Sequence, residues 1–261
     1  RGCGKSTELN NMSERLKLKG YPVETINCAR DLDLLNLVHS DLFILMGEAL
    51  LNLAKELECE IKKDILKKII HFWDERTESS ESKETIENSV EAGIKAETPK
   101  ILSILQTFIK IKTDLKYNEE TRIEYRRKIS VRTSEWIALL GMVSEEITKK
   151  TDGKHPIIIF EDLDKLNPDD AWKVFYNYVA LLSGMSFPVI YTFPIALSYD
   201  PKFAAMESYF TVKTLPMIKI ATIENKPFKD GIAVIREIVE KRAKLELFEE
   251  DTLEKMIQYT G

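Results

Sequence analysis

The first seven residues, Arg-Gly-Cys-Gly-Lys-Ser-Thr, combine glycine, lysine and hydroxyl side chains in an order that suits phosphate binding. Glycines let backbone N–H groups approach a phosphate closely, and a helix that starts directly after them adds the positive end of its dipole. In the GxxxxGK[ST] pattern the lysine reaches the β- and γ-phosphates and the next hydroxyl binds Mg²⁺. The pattern predicts that Lys5 and Thr7 contact phosphates and that Ser6 binds Mg²⁺. Backbone contacts would come from Gly2, Cys3 and Gly4.

A chance glycine-rich turn before a helix is the alternative explanation of this opening. The first glycine of the full pattern would precede Arg1, and the chain does not begin with Met, so we expect further residues before Arg1. A second chemical element is therefore needed to decide between phosphate binding and an ordinary turn.

That second element is a group of carboxylates that follows an apolar, β-branched run at 155–160. Such a run is typical of a strand buried on both faces of a parallel sheet. A strand of this kind can deliver carboxylates to Mg²⁺ and to an attacking water. We predict that Glu161 binds Mg²⁺ and that Asp162 orients the water, with Asp164 as the alternative for the second role. A strand followed by an ordinary polar turn is the competing interpretation, and the two motifs together disfavour it.

The elements around these motifs alternate between apolar runs and helical periods, which indicates an α/β domain. The stretch 77–99 is rich in Glu, Ser and Thr and poor in large apolar side chains, which predicts a solvated helix pair, a loop or a disordered linker. The patterns predict helices at 4–19, 38–57, 61–73, 100–111, 118–150, 167–183, 229–246 and 250–260. They predict strands at 21–28, 155–160, 187–192 and 210–215.

The composition excludes several classes of protein. The chain has 261 residues, of which 44% are hydrophobic and 31% charged, so it is neither a disordered chain nor a membrane protein. Its net charge of −5 gives no support to bulk binding of nucleic acid. The most apolar stretch, 42–54, contains Glu48 and is too short to span a membrane. Three scattered cysteines match no zinc or disulfide pattern, so we expect a reducing, cytoplasmic location.

Taken together, these motifs resemble the P-loop ATPases of the AAA+/STAND kind, close to the prokaryotic AAA-like proteins related to the origin-recognition clade. The resemblance is carried by GCGKSTELN, by IIIFEDLDKL and by the later strand 189–192. That strand ends in Thr192, where the family keeps its first sensor, so the resemblance implies a γ-phosphate sensor there. The acids depart from the family order, because Glu161 precedes Asp162 whereas the family has Asp before Glu.

The resemblance implies a three-layer P-loop sheet with a helical insertion and a C-terminal helical lid. The family's first strand would precede Arg1 and would lie between the strands near 188 and 210. We expect an ATPase core at 1–60, an insertion at 61–130, and the rest of the core at 131–220. This last part would contain the strand that ends in the acids, which the family calls Walker B, and the strand that ends in Thr192, the sensor strand. An incomplete lid would occupy 221–261, because the second-sensor arginine of the family would lie beyond Gly261.

The function that the resemblance implies is binding of ATP with Mg²⁺ and hydrolysis of ATP to drive a conformational switch or motor. A nucleotide-sensing module is the alternative: it would bind ATP or ADP, turn over little, and use the helices at 38–130 as a partner surface. Self-association is a further expectation. A small-molecule kinase is disfavoured, because the acids at the end of the strand suit the activation of water.

Two further groups of residues have both a functional and a structural interpretation. Basic residues at 122–132 alternate with acids, which favours a solvated helix face over an arginine finger or a nucleic-acid patch. Aromatic residues after the acidic turn favour helix packing over base stacking. The basic group is Arg122, Arg126, Arg127, Lys128 and Arg132, and the aromatic group is Trp172, Phe175, Tyr176 and Tyr178.

Overall fold

The computed structural model describes residues 4–74, 100–216, 218–224 and 226–260. The predicted acidic stretch at 77–99 lies outside these residues, as do Arg1, Gly2 and Cys3. The contacts divide the chain into two compact units, which are described separately. We call residues 13–211 the sheet unit, and residues 1–12 with 212–261 the helix-pair unit. The first helix, α1 (Lys5–Leu18), runs across the division.

The sheet unit is built on three parallel strands in the order β1-β2-β3. These are β1 (Val23–Asn27), β2 (Ile157–Glu161) and β3 (Val189–Tyr191). Every residue of the central strand β2 is buried, as its β-branched sequence predicts. The register places Asn27 opposite Glu161 and Phe160 opposite Tyr191, so the three carboxyl ends meet at one edge. The predicted α/β class with a parallel sheet is therefore confirmed.

The prediction of a strand at 210–215 is wrong. Residues 211–216 adopt no regular secondary structure, and all of them except Val212 are exposed. A strand needs a neighbour that accepts its backbone hydrogen bonds and covers its side chains, and a local pattern of residues does not supply one.

The helices of the sheet unit follow the predicted order, but two predicted helices are each divided into a pair. The helix expected at 118–150 breaks at Arg132, which has non-helical backbone angles, and Asn118 caps the first half by accepting a hydrogen bond from the Thr121 amide. The helix expected at 167–183 is also divided into two helices. The first of them begins as predicted: the Asn167 side chain caps it by accepting a hydrogen bond from the Asp170 amide, and Pro168 lies in its first turn. The helices are α2 (Cys28–Asp31), α3 (His39–Glu56), α4 (Lys63–Asp74), α5 (Lys100–Tyr117), α6 (Glu119–Val131), α7 (Thr133–Lys150), α8 (Pro168–Phe175), α9 (Val179–Ser183) and α10 (Phe203–Glu207), with 3-10 turns at Leu34–Asn36, Leu163–Lys165 and Ile195–Tyr199.

Helix α3 is the centre of the packing in the sheet unit. Fifteen of its 18 residues are buried, because it contacts β1 on one side and helices α5, α6 and α7 on the others. Its partners bring large aromatic side chains together, and the Trp136 indole N–H donates a 2.9 Å hydrogen bond to the Phe43 carbonyl of α3. The aromatic cluster consists of Phe72, Trp73, Phe108, Tyr125 and Trp136. The helices at 100–131, from the expected insertion, thus pack on α3 within this unit.

In the helix-pair unit, α11 (Lys229–Glu240) and α12 (Glu250–Thr260) confirm the two helices predicted for this region, with a 3-10 turn at Leu245–Leu247 between them. Their shared core contains Ile235, Leu253 and Ile257. Gly231 allows a close approach, since a Cβ there would lie 1.7 Å from the Lys219 carbonyl oxygen. No helix in the described ranges is both long and apolar enough to cross a membrane.

Glu24 on β1 makes the stability of the fold depend on pH. Burial, together with the charge of nearby Glu56, raises the pKa of this half-buried carboxyl from its usual 4.5 to about 7. Between about pH 4.5 and pH 7 the folded protein holds a proton on Glu24 that the unfolded chain releases. The free energy of unfolding therefore falls as the pH rises through this window.

The variant Glu24→Gln is expected to be more stable than the parent chain at pH 8, by about 1–2 kcal/mol once solvent screening is allowed for. The gain is expected to be smaller at pH 5, where the folded parent already carries the proton. Urea unfolding at the two pH values measures the difference, and the exposed Glu14, changed to Gln, is the matched control. A gain that does not change with pH would contradict the assignment.

Candidate functional site

The carboxyl end of β2 leads into a short acidic turn that contains two consecutive buried acidic residues. Glu161 is the last residue of the strand, and Asp162 follows with φ 72° and ψ 1°, in the left-handed region. The two residues are only 9% and 7% exposed, respectively. Asp164 is half-buried in the 3-10 turn that follows. The structure thus brings all three predicted acids to the edge where the strands of the sheet end.

Thr192 follows β3 and forms hydrogen bonds with the backbone at both ends of this acidic turn. Its hydroxyl donates a hydrogen bond of 3.1 Å to the Phe160 carbonyl and accepts one of 3.0 Å from the Leu163 amide. Its own amide donates to the same Phe160 carbonyl at 3.0 Å. The predicted sensor residue is therefore in direct contact with the backbone on both sides of Glu161 and Asp162.

The acidic turn has one cation within it and a buried thiol from the end of β1 near it. Lys165 forms an ion pair with Asp162, with 2.7 Å between Nζ and Oδ1, and Lys165 is 45% exposed. Cys28, directly after β1, is fully buried. Burial raises the pKa of its thiol, and the charges of Asp31, Asp162 and Glu161 raise it further. The thiol is therefore neutral at pH 7.

The described residues of the glycine-rich motif form the start of the helix that was predicted at 4–19. Gly4 has φ +80°, which favours glycine, and its carbonyl accepts a 2.9 Å hydrogen bond from the Glu8 amide. Helix α1 begins at Lys5, so Ser6 and Thr7 lie in its first turn, where backbone N–H groups have no acceptor within the helix. These residues belong to the helix-pair unit, whereas the acids belong to the sheet unit. Gly2 and Cys3 lie outside the described residues.

The carboxylate oxygens at the acidic turn are the type of ligand that Mg²⁺ prefers. Within the ranges that the structure describes, no three His, Cys, Asp or Glu side chains are grouped to hold a metal ion by themselves. Mg²⁺ is usually bound by one or two carboxylates together with water and substrate phosphates, so a single buried carboxylate is a sufficient protein contribution. Glu161 could provide that carboxylate, which leaves Asp162 available to act on a water.

The sequence and the structure were also compared with known proteins. No family model, no curated protein and no solved structure matches this chain. The site is accordingly assigned from its own residues.

The basic residues at 122–132 mostly hold helices together. The Arg126 guanidinium donates to both carboxylate oxygens of buried Asp41, at 2.9 and 2.6 Å, and Arg122 lies 3.7 Å from Asp33. Lys128 donates to the Trp73 carbonyl, and Arg132 lies over the Phe72 ring. A solvated face, the interpretation that the sequence favoured, describes the exposed Arg127 but not Arg122 or Arg126, whose side chains are 11% and 20% exposed.

The aromatic residues after the acidic turn divide between packing and exposure. Phe175 is buried, with its ring centroid 5.9 Å from that of Tyr191 on the sheet, and Tyr178 stacks on His39. Trp172 and Tyr176 meet edge to face at 5.4 Å, and Tyr176 is exposed. Helix packing is therefore confirmed for Phe175 and Tyr178.

Two neighbours of the carboxylates were not singled out from the sequence. Lys165 lies three residues after Asp162, a spacing that brings side chains together in one helical turn, so its ion pair has a local signal. Cys28 has none, because its position near the acidic turn follows from the pairing of β1 with β2, which places Asn27 opposite Glu161 although the two strands are far apart in the chain.

Proposed function

We propose that this protein binds ATP with Mg²⁺ and hydrolyses it to drive a conformational change. The observation that carries the proposal is the acidic turn: a fully buried parallel strand ends in Glu161 and Asp162, and Thr192 holds the turn. Ligands of open parallel sheets bind at the carboxyl ends of the strands, and these carboxylates are located there. The RGCGKST motif adds a sequence typical of phosphate binding, and helix α1 begins within it at Lys5.

The proposal gives each residue a role from its own chemistry. Lys5 neutralises charge on the β- and γ-phosphates, and Ser6 binds Mg²⁺ through its hydroxyl. Glu161 is the carboxylate ligand of Mg²⁺, and Asp162 accepts the proton of the attacking water. Bound Mg²⁺ supplies neutralisation of the charge that develops on the phosphates.

The finer description of the fold is part of this proposal. We assign the sheet to the P-loop class, with β2 as the Walker B strand and β3 as the sensor strand. The parallel order β1-β2-β3 supports the assignment, because it places the acid-bearing strand directly beside the strand that carries Thr192. Self-association or a protein partner remains part of the proposal for a conformational switch.

The variant Lys5→Ala tests the binding half of the proposal. One charge-assisted phosphate contact contributes about 1.5–3 kcal/mol, so the dissociation constant for Mg-ATP is expected to rise about 10- to 150-fold. Titration calorimetry on the full chain measures the change. The control is Lys17→Ala, which removes an exposed lysine from the other end of the same helix. Equal affinities for Lys5→Ala and the parent chain would contradict the phosphate-binding assignment.

A further inference from the structure

Asp162 has a backbone conformation that glycine adopts more easily than a residue with a Cβ. Its φ of 72° places it in the left-handed region, which Asp enters more readily than most residues but still at a cost of up to about 1–2 kcal/mol. Such a conformation persists only where surrounding contacts hold it. The contacts on each side of Asp162 therefore decide whether its carboxylate has a fixed position.

The hydroxyl of Thr192 supplies those contacts from the neighbouring strand. It bonds to the Phe160 carbonyl, just before the two acids, and to the Leu163 amide, just after them. One side chain thus bridges the two ends of the acidic turn. A threonine hydroxyl has a single proton, and here that proton is donated to Phe160, so in this conformation none remains to be donated to a phosphate.

We propose that Thr192 is a positioning residue: it fixes the left-handed backbone of Asp162, and with it the Glu161 and Asp162 carboxylates, instead of contacting the nucleotide. The expected effect of Thr192 on ATP hydrolysis rests on the proposed function, whereas its effect on the backbone of the acidic turn does not. This role differs from the phosphate sensor that the sequence resemblance implies.

Amide hydrogen exchange tests the bridge directly. Thr192→Val keeps the shape of the side chain and removes both hydroxyl contacts, whereas Thr192→Ser keeps the hydroxyl. Exchange at the Leu163 amide, measured by NMR on the full chain, is expected to become about tenfold faster in Thr192→Val and to stay near the parent rate in Thr192→Ser. An unchanged rate at Leu163 in Thr192→Val would overturn the proposal.

A second measurement tests whether the bridge holds a strained residue. Asp162→Gly removes the cost of the positive φ, so the bridge should then matter less. The fall in melting temperature caused by Thr192→Val is expected to be smaller in the Asp162→Gly background than in the parent chain. Equal falls in the two backgrounds would show that Thr192 does not act on the backbone of Asp162.

Steady-state ATP hydrolysis separates positioning from phosphate contact. A positioning role predicts that Thr192→Val lowers kcat with little change in KM or in the dissociation constant for Mg-ATP, and that Thr192→Ser restores kcat. Weaker Mg-ATP binding in Thr192→Val, with unchanged exchange at Leu163, would overturn the proposal in favour of a phosphate contact. If the parent chain neither binds nor hydrolyses ATP, the proposed function fails, and the exchange and melting measurements still decide the role of Thr192.

Discussion

Asp162→Asn is expected to slow ATP hydrolysis by about 10²- to 10⁴-fold, the usual contribution of a general base, while Mg-ATP stays bound. An amide has nearly the shape of a carboxylate but cannot accept the proton of the attacking water. Asn also tolerates the left-handed backbone that position 162 requires, so the turn should keep its form. The ion pair with the partly exposed Lys165 is lost, at a cost of about 1 kcal/mol or less.

Phosphate release under single- and multiple-turnover conditions measures this effect. Asp164→Asn is the competing variant, because Asp164 lies in the same acidic turn, and the exposed Asp169→Asn is the matched control. Loss of turnover in Asp164→Asn but not in Asp162→Asn would move the base to position 164. A parent chain that turns over once and retains ADP would favour the nucleotide-sensing alternative over a motor.

Arg126→Met is expected to lower the free energy of unfolding by about 3–5 kcal/mol at neutral pH, because it leaves a buried carboxylate without its cation. Asp41 is 1% exposed, and its two oxygens accept hydrogen bonds from the Arg126 guanidinium and the Val38 amide. Burial already raises the pKa of this carboxyl, and Arg126 opposes the rise. The loss of stability is therefore expected to shrink in acid, where Asp41 takes up a proton.

Arg127→Met is the matched control for this prediction. Arg127 is the next residue of α6 and is exposed, so the same substitution there is expected to change stability by no more than about 0.5 kcal/mol. Urea unfolding of both variants at pH 5 and pH 7 gives the comparison. Similar losses for the two variants would mean that the Arg126–Asp41 pair is not the contact that fixes α6 on the start of α3.

The elements that the sequence predicted well are those whose signals are local. The buried run before the acids predicted β2, and Asn167 with Pro168 predicted the start of α8. Alternating strands and helices predicted the α/β class. These signals come from side-chain periodicity and capping, which depend on residues within a few positions of one another.

The strand expected at 210–215 and the character of the basic group required tertiary contacts. Residues 211–216 form no strand, because a suitable pattern of residues does not create a neighbour to pair with. Arg126 and Arg127 are adjacent and chemically identical, yet one is paired with a buried acid 85 positions away and the other faces solvent. The sequence shows their charge, but only the packing of α6 on α3 distinguishes them.

For the candidate site, the sequence by itself determined which chemical groups are present: a glycine-rich segment that leads into a helix with Lys5, Ser6 and Thr7, and carboxylates at the end of a buried strand. It could do so because both motifs are contiguous. Only the tertiary structure decided that Thr192 bridges the acidic turn and that β1 ends with Asn27 opposite Glu161, because parallel pairing joins segments that are far apart in the chain. The backbone of Asp162 was likewise decided there, since its left-handed conformation lies between two backbone groups that both bond to Thr192 of a distant segment.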